Sequence, residues 1–518
     1  MKKLHVTFIG PNIVSQKGDF FGTGIPYFPL VISYTAAAVR EKGYAIKLID
    51  AFGENPTQVI EEGDKVIQGL TSNQILQRIP KETNLFCLSA ERLVAHGAII
   101  AIIRDLKQHP MFSKIPIAIL ENTQAVTAYA LEQVQDDFFK EGVSFVLTGE
   151  PELRVVQLLE VLEQKKDAKE EEKEQFLFKI DGLFFKDKKG VLQKNPKKSF
   201  IENPDVLPFP AWDLLPLENY WKLGYAHAPL TTKKYLPLLT SRGCPYPCTF
   251  CVVPATNDQK WRPRSAKNVV EEMEFFTKKY GVNEYHLEDL NPTIKKERIK
   301  EISQLIIEKK LDVIWKIASG TKAETLDEET IQWMAKAGCK YISISPESGS
   351  SRIMKLIRKP FPYDRALELV REMHKNDITT QACFILGYPG EEKEDIHKTN
   401  EYIHQIVKAG IDEIAVYILA PTPGSIIFQE YLKKGELPEV TQLTFSPKWR
   451  KDYNKYTKER VKSYALFVLW RCLYYPRSVL TTLFHFIRKR FHTKMEMTVY
   501  RVLKVWKLYT FPKRIGKV

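Results

Sequence analysis

Short runs of β-branched and aromatic residues alternate with helix-period segments along the first 164 residues. The runs LHVTFI (4–9), AIKLID (45–50), NLFCLS (84–89), IPIAIL (115–120) and VSFVLT (143–148) predict five strands. Between them, PLVISYTAAAVREKG (29–43) and LVAHGAIIAIIRDLK (93–107) place apolar residues at helical spacing, and Gly43 closes the first as a C-cap glycine would. Parallel strands need crossover connections, so the alternation predicts an α/β domain with a doubly wound five-strand parallel sheet. Ligands of such sheets lie beyond the carboxyl ends of the strands. Here those ends are the loop from Gly10 to Pro29, Asp50, Ser89 to Arg92, Glu121 to Thr123, and Gly149-Glu150.

A charged stretch, EQKKDAKEEEKEQ (163–175), ends this unit as a helix end or linker. FLFKIDGLFFKDKKGVLQKNP then reads as a β-hairpin, and the Pro-rich PDVLPFPAWDLLPL (204–217) as a connector. From YLPLLTS (235–241) onward, βα units recur: HLEDL, VIWKIAS, YISIS, TQACFIL and EIAVYIL, each but the last followed by a helical pattern. Six parallel strands predict a partial (β/α) barrel, where chemistry gathers at the C-terminal strand ends. The expected division is 1–164 for the first domain, 165–234 for a linker with a hairpin, 235–447 for the barrel, and 448–518 for a helical, basic, aromatic C-terminal region.

Length and charge sharpen this division. At 518 residues the chain suggests about three units, and 44% hydrophobic with 27% charged residues is a folded composition. Residues 448–518 hold 19 basic against 3 acidic side chains, a net +16, which leaves the other 447 residues at −2 of the total +14. A chain coated in positive charge for nucleic acid is therefore excluded, and no nucleic-acid partner is expected. Seven cysteines, three of them within eight residues, do not form a dense disulfide framework, so a reducing, cytoplasmic setting is expected. The N-terminus breaks at Gly10-Pro11-Asn12 and reads as a strand rather than a signal peptide. The most apolar window, YALFVLWRCLYY (464–475), carries Arg471 and stops at Pro476, so no membrane span is predicted.

The sharpest motif is Ser241-Arg242-Gly243-Cys244-Pro245-Tyr246-Pro247-Cys248-Thr249-Phe250-Cys251, a CxxxCxxC directly after a predicted strand. Three thiolates on one tight loop suit three irons of a [4Fe-4S] cluster, leaving the fourth open. A structural zinc ion is the alternative, but it usually takes four ligands in paired spacing, and no second pair follows. With an aromatic residue before its third cysteine, this loop resembles that of the radical S-adenosylmethionine (radical SAM) superfamily. WRPRSAKNVVEEMEFF, YHLEDLNPTIKKERIKEI, AGCKYISISPESGS, FILGYPGEEKEDI and ILAPTPGS resemble that superfamily's strand-end motifs. Upstream, VLTGEPE, the hairpin at DGLFF and VLPFPAWDLLP are similar to the subgroup with a cobalamin-binding domain before the radical domain.

The resemblance implies a [4Fe-4S] cluster on Cys244, Cys248 and Cys251, S-adenosyl-L-methionine chelated to its open iron, a 5′-deoxyadenosyl radical after one-electron reduction, and cobalamin. It places Phe250 near cluster and adenine, and Ser345 and Glu347 at the ribose or amino group. It brings the backbone of Gly387, Pro389, Gly390, Pro421, Pro423 and Gly424 close to S-adenosylmethionine. Ser89, Glu91, Asn122, Gly149, Glu150 and the Gly10–Pro29 loop fall where a corrin and its tail would lie. The DxHxxG motif that supplies a histidine to cobalt elsewhere is absent, since His5 lies within a strand and His96 is followed by Gly97, so no histidine is assigned as axial ligand. Cys87, Cys339, Cys383 and Cys472 are scattered and read as buried, inert thiols.

The implied activity is methyl transfer to an unactivated carbon. A radical cyclase or rearrangement enzyme, and a non-catalytic iron–sulfur or cobalamin sensor, stand as alternatives. A methylthiotransferase is disfavoured, because the first domain holds only Cys87 for a second cluster. The expected partners are a small-molecule or lipid-like substrate and an external electron donor of flavodoxin or ferredoxin type. In the tail, Leu480, Leu483, Phe484, Ile487 and Phe491 recur at helical spacing beside Arg488, Lys489 and Arg490. Either these aromatic and apolar groups pack on the barrel, or they form a stripe for peripheral attachment to the inner face of an anionic membrane.

Overall fold

The structure, a computed structural model, describes residues 3–17, 24–164 and 170–510. Side chains at 170, 171, 323, 480, 483, 509 and 510 lie outside that description. Residues 18–23 of the Gly10–Pro29 loop do so as well.

The five expected strands form one parallel sheet: β1 (His5–Gly10), β2 (Ala45–Asp50), β3 (Thr83–Ala90), β4 (Ile117–Glu121) and β5 (Phe145–Leu147). Their order is β2-β1-β3-β4-β5, so the chain reverses direction across the sheet between β1 and β3. Helices α1 (Leu30–Glu41) and α2 (His96–Gln108) lie in the crossovers from β1 to β2 and from β3 to β4, and α3 (Pro151–Gln164) follows β5. The sheet does not stop at β5. The hairpin β6 (Leu183–Lys186) and β7 (Leu192–Lys194), expected in a linker, continues it antiparallel, with Phe145 opposite Phe185. Leu183, Phe184 and Phe185 are buried, so pairing with β5 covers apolar groups that a free hairpin would expose. A second unforeseen feature is a small antiparallel sheet of Ile13–Gln16, Val59–Glu62 and Lys65–Gln68.

The second sheet holds β8 (Leu236–Leu238), β9 (Glu284–Leu287), β10 (Ile314–Thr321), β11 (Cys339–Glu347), β12 (Thr379–Leu386) and β13 (Glu413–Ile418), all parallel and in sequence order. The intervening helices are α4 (Ala266–Tyr280), α5 (Lys296–Glu308), α6 (Glu328–Lys336), α7 (Tyr363–Lys375) and α8 (Lys393–Lys408). Each buries an apolar stripe, such as Ile299, Ile302 and Ile306 of α5.

The C-terminal region forms α9 (Tyr453–Tyr474), α10 (Pro476–Arg488) and α11 (Lys494–Thr510). Helix α9 packs on α8 and β13. Before α11, the Phe491 N–H donates to Leu230 O at 2.8 Å, and Phe491 is fully buried. The N–H groups of Lys494 and Met495 donate to the carboxylate of Glu413, at the start of β13. Further along, the Lys504 ammonium donates to Leu223 O at 2.6 Å. Helix α11 thus runs from the amino end of the last strand to the segment leading into the first.

Candidate active site

The cysteine loop is held by buried charge on two sides. At its start, Asp289 after β9 accepts from the Thr240 N–H (2.9 Å) and the Ser241 hydroxyl (2.6 Å). Arg298 of α5 donates to Thr240 O at 3.0 Å. Gly243 has φ +76, and a Cβ there would collide with the Lys260 carbonyl, so this turn requires glycine. On the other side, Arg242 pairs with Glu150 (3.2 Å) and Glu152 (2.6 Å), and Arg262 with Glu150 (2.6 Å). Burial pushes the Glu150 carboxyl up, but the two guanidinium groups outweigh it and hold it below the usual range.

Burial raises all three loop thiols, Cys248 to about 11. The Lys359 and Lys322 ammonium groups act against this and favour thiolate at Cys244 and Cys248. Bound iron would supply the positive charge that deprotonates such thiols outright. Among the described residues, no three His, Cys, Asp or Glu side chains converge as ligands of a single ion. The donor set fits a cluster in which each cysteine holds a different iron.

One cavity of about 2340 Å³, counting space open to solvent, reaches from the carboxyl ends of the first sheet's strands along the second sheet as far as Glu413 at the start of β13. On the barrel side it is lined by Cys244, Cys248, Cys251, Phe250, Ser345 and Glu347. Glu347 ends β11 with φ +59, a strained conformation for a residue other than glycine, and pairs with buried Lys359 at 2.5 Å. On the first-domain side, Glu91 and Asn122 face the cavity. Ser89, Glu91 and Asn122 form one group: the Ser89 hydroxyl donates to Glu91 Oε1 at 2.7 Å, and the Asn122 amide to Glu91 Oε2 at 3.0 Å. Burial pushes the Glu91 carboxyl up to about 7. A shallow recess at the switch between β1 and β3 adds Pro11, Asn12, Asp50 and Tyr220.

Other expected residues serve the frame. Glu150 is taken up by its arginines, and the Gly149 N–H donates to Glu121 at 2.5 Å. Gly387 O accepts from Arg450, and Gly390 O from Arg352. Pro423 O accepts from Ala130 N at 2.9 Å, and Gly424, with φ +102, packs on Ala130 and Val252. None of Ser89, Gly149, Glu150, Gly387, Pro389, Gly390, Pro421, Pro423 and Gly424 is among the cavity-lining residues, although Ala420 and Thr422 are. Two of the four scattered cysteines depart from the buried, inert reading. Cys87 and Cys339 are buried, but Cys383 lines the cavity and Cys472 is exposed. His96 is fully buried beside Tyr129 (3.1 Å) and Phe138 and does not line the cavity.

Sequence reasoning missed several cavity residues. His227, in the segment before β8, donates from Nδ1 to Glu288 at 2.7 Å, and burial pulls its imidazole down to about 4, so it is neutral at pH 7. Lys494, Met495, Met497, Thr498 and Arg501 of α11 also line the cavity. No local pattern marks them, because they reach the site only through the packing of the tail.

Residues 238–403 match the family described as the radical SAM superfamily. Cytidylyl-2-hydroxyethylphosphonate methyltransferase of Streptomyces wedmorensis is 26% identical over 445 residues, covering 79% of this chain and 78% of that protein. An uncharacterized methyltransferase of Pyrococcus horikoshii is 26% identical over 463 residues, covering 87% and 86%. In fold, the chain is similar to the cobalamin-dependent S-adenosylmethionine radical enzyme OxsB, solved with aqua-cobalamin and S-adenosylmethionine bound. The TM-score is 0.65 at 15% identity, over 98% of this chain and 79% of that one.

Proposed function

We propose that this chain, which belongs to the radical SAM superfamily through its domain at 238–403, is a cobalamin-dependent radical enzyme that methylates an unactivated carbon. The observation that carries the reading is the shared cavity, where three half-buried thiols face the switch point of a doubly wound sheet across one space. Residues of both domains line this one space, so groups held on its two sides would meet across it. Two methyltransferase relatives over most of the chain support the same reading.

When bound, the cluster with S-adenosylmethionine supplies a carbon radical, and the corrin supplies a methyl group. The chain's own part is to bind, orient and shield. Cys244, Cys248 and Cys251 hold the iron, with Lys359 and Lys322 favouring their anionic form. Ser345 and the Glu347–Lys359 pair present polar groups toward S-adenosylmethionine, and Phe250, edge-on to Tyr388 at 5.7 Å, gives an apolar wall. Glu91, braced by Ser89, and Asn122 would offer polar groups to the corrin. Helix α11 lines the cavity and limits water, and a flavodoxin- or ferredoxin-type donor would supply the electron. Anaerobic incubation of the reconstituted protein with reductant and candidate substrates tests this: release of 5′-deoxyadenosine with a product gain of about 14 Da supports methylation. Ring formation or rearrangement would not give that mass, and a sensor would release no 5′-deoxyadenosine.

Among the described residues, no helix is long and apolar enough to cross a membrane. We propose peripheral contact of the C-terminal region with an anionic membrane, which would suit a lipid-like substrate. Leu469 and Leu473 on α9, Ile487 on α10 and Trp506 on α11 are each at least half exposed in this strongly basic region. Phe491 of the expected stripe is buried instead, and the side chains of Leu480 and Leu483 lie outside the described residues. Sedimentation with anionic vesicles at low but not high salt is the expected result, and no binding at low salt contradicts it.

A further inference from the structure

The cysteine loop has an outer side as well as a cavity side. Between Cys248 and Cys251, the Thr249 N–H donates to Ile357 O, and Thr249 O accepts from the Ile427 N–H, both at 3.1 Å. Two short helices, Ser351–Leu356 and Ile426–Lys433, are thereby tied to the loop through main chain. Ile357 and Ile427 are buried, but the residues just before them are not: Leu356 is 52% exposed and Ile426 44%. Pro247, next to Cys248, is exposed as well. None of these three lines the cavity, so apolar groups reach solvent on the loop's other side. One backbone hydrogen bond separates Ile357 from the residue that follows Cys248.

The charge beside Leu356 has one sign. The run Ser351–Pro360 holds Arg352, Lys355, Arg358 and Lys359 and no acidic residue, on a chain whose residues outside the tail sum to −2. Arg352 pairs with Asp395, and buried Lys359 with Glu347. Lys355 and Arg358 are exposed, and among the described residues neither has an ion-pair partner. The exposed acid Glu430 lies on the other helix, one turn beyond Ile426, so the positive edge is on the Leu356 side.

A cluster on this loop must receive an electron, and its cavity side is where its ligands lie. Electron-transfer encounters use small interfaces, with rim charge steering the approach. We propose that Pro247, Leu356 and Ile426, edged by Lys355 and Arg358, form the docking surface for an acidic one-electron carrier protein. The carrier is oxidised by one electron and the cluster reduced by one, with no bond made or broken. The inference rests on the cluster assigned in the proposed function. The tail is more basic, but it meets the barrel at Glu413, at the amino end of β13, whereas the cysteine loop follows the carboxyl end of β8.

The test is calorimetric titration of flavodoxin and, separately, of a bacterial ferredoxin into the full-length, cluster-free protein, followed by stopped-flow reduction of the reconstituted cluster. Wild type should bind a carrier at low salt and about tenfold more weakly at high salt. The double variant Lys355→Glu/Arg358→Glu should weaken binding, and slow reduction by the carrier, about tenfold. Its reduction by photoreduced 5-deazariboflavin, a small uncharged donor, should stay at the wild-type rate. The charge-keeping Lys355→Arg/Arg358→Lys and the tail variant Arg488→Glu/Arg490→Glu should match wild type in every readout. No carrier binding by wild type, unchanged binding and rate in the charge-reversed variant, or an equal loss in the tail variant overturns the surface. Slowing with the small donor as well would mark a damaged cluster, and the milder Lys355→Gln/Arg358→Gln then decides by the same two readouts. A wild type that assembles no cluster counts against the proposed function instead, and carrier binding by the cluster-free protein still judges the surface.

Discussion

At the scale of single residues, the cysteine loop combines thiols that burial holds protonated with lysines that favour their ionisation. On the proposed assignment of one iron to each thiolate, Cys248→Ala should abolish 5′-deoxyadenosine formation and cut cluster content, while Cys472→Ala, at an exposed site, should leave both unchanged. Product formation retained in Cys248→Ala would show that this loop does not carry the cluster. Glu413 offers a separate, pH-dependent check. Burial pushes its carboxyl up to about 7, against hydrogen bonds from Tyr341 and from the Lys494 and Met495 N–H groups. A raised carboxyl binds its proton more tightly in the folded state, so its contribution is full below about 4.5 and is lost as pH rises toward 7. Thermal melts should show wild type losing stability across that window more steeply than Glu413→Gln, by up to about 1.4 kcal/mol per pH unit. Parallel pH profiles would count against the shift.

At the scale of elements, the tail is where sequence and structure part most. The expected stripe treats Phe484, Ile487 and Phe491 alike, because helical spacing alone cannot tell a face that meets the protein from one that meets solvent. In the structure Phe491 is fully buried, with Tyr500 at 5.2 Å, whereas Ile487 is 70% exposed. Phe491→Ala should cost about 3–5 kcal/mol by urea unfolding and Ile487→Ala less than about 0.5, and equal effects would contradict this docking. Elements with period and punctuation of their own were legible: β1 to β5, the six barrel strands and the CxxxCxxC loop all follow from local pattern. The hairpin β6–β7 was legible as a hairpin, but its pairing with β5 was not, since edge pairing depends on which apolar faces remain uncovered. The same holds for Glu150. Position at a strand end suggested a ligand, and two arginines more than 90 positions away in sequence claim it.

At the scale of the whole molecule, those arginines tie the first domain to the cysteine loop. Arg242 is two residues before Cys244, and Glu150 and Glu152 begin the α3 segment of the other sheet, so one buried charge network sets the two sides of the cavity relative to each other. Removing one member leaves buried charge uncompensated. Glu150→Gln should therefore destabilise the protein by about 3–5 kcal/mol. In the fraction that remains folded, it should lower product formation more than 5′-deoxyadenosine release, because the cluster loop persists while its register to the first domain is lost. A variant of wild-type stability and coupling would contradict that role.

The central claim is that one chain brings a radical source and a methyl donor to a single cavity. Its most direct test follows isotope from S-adenosylmethionine carrying a deuterated methyl group, incubated anaerobically with the cluster- and corrin-loaded protein, reductant and candidate extracts. The account predicts 5′-deoxyadenosine together with a product that carries the deuterated methyl group on carbon, both dependent on added corrin. Release of 5′-deoxyadenosine that is indifferent to corrin, with no labelled methyl group in any product, would contradict it.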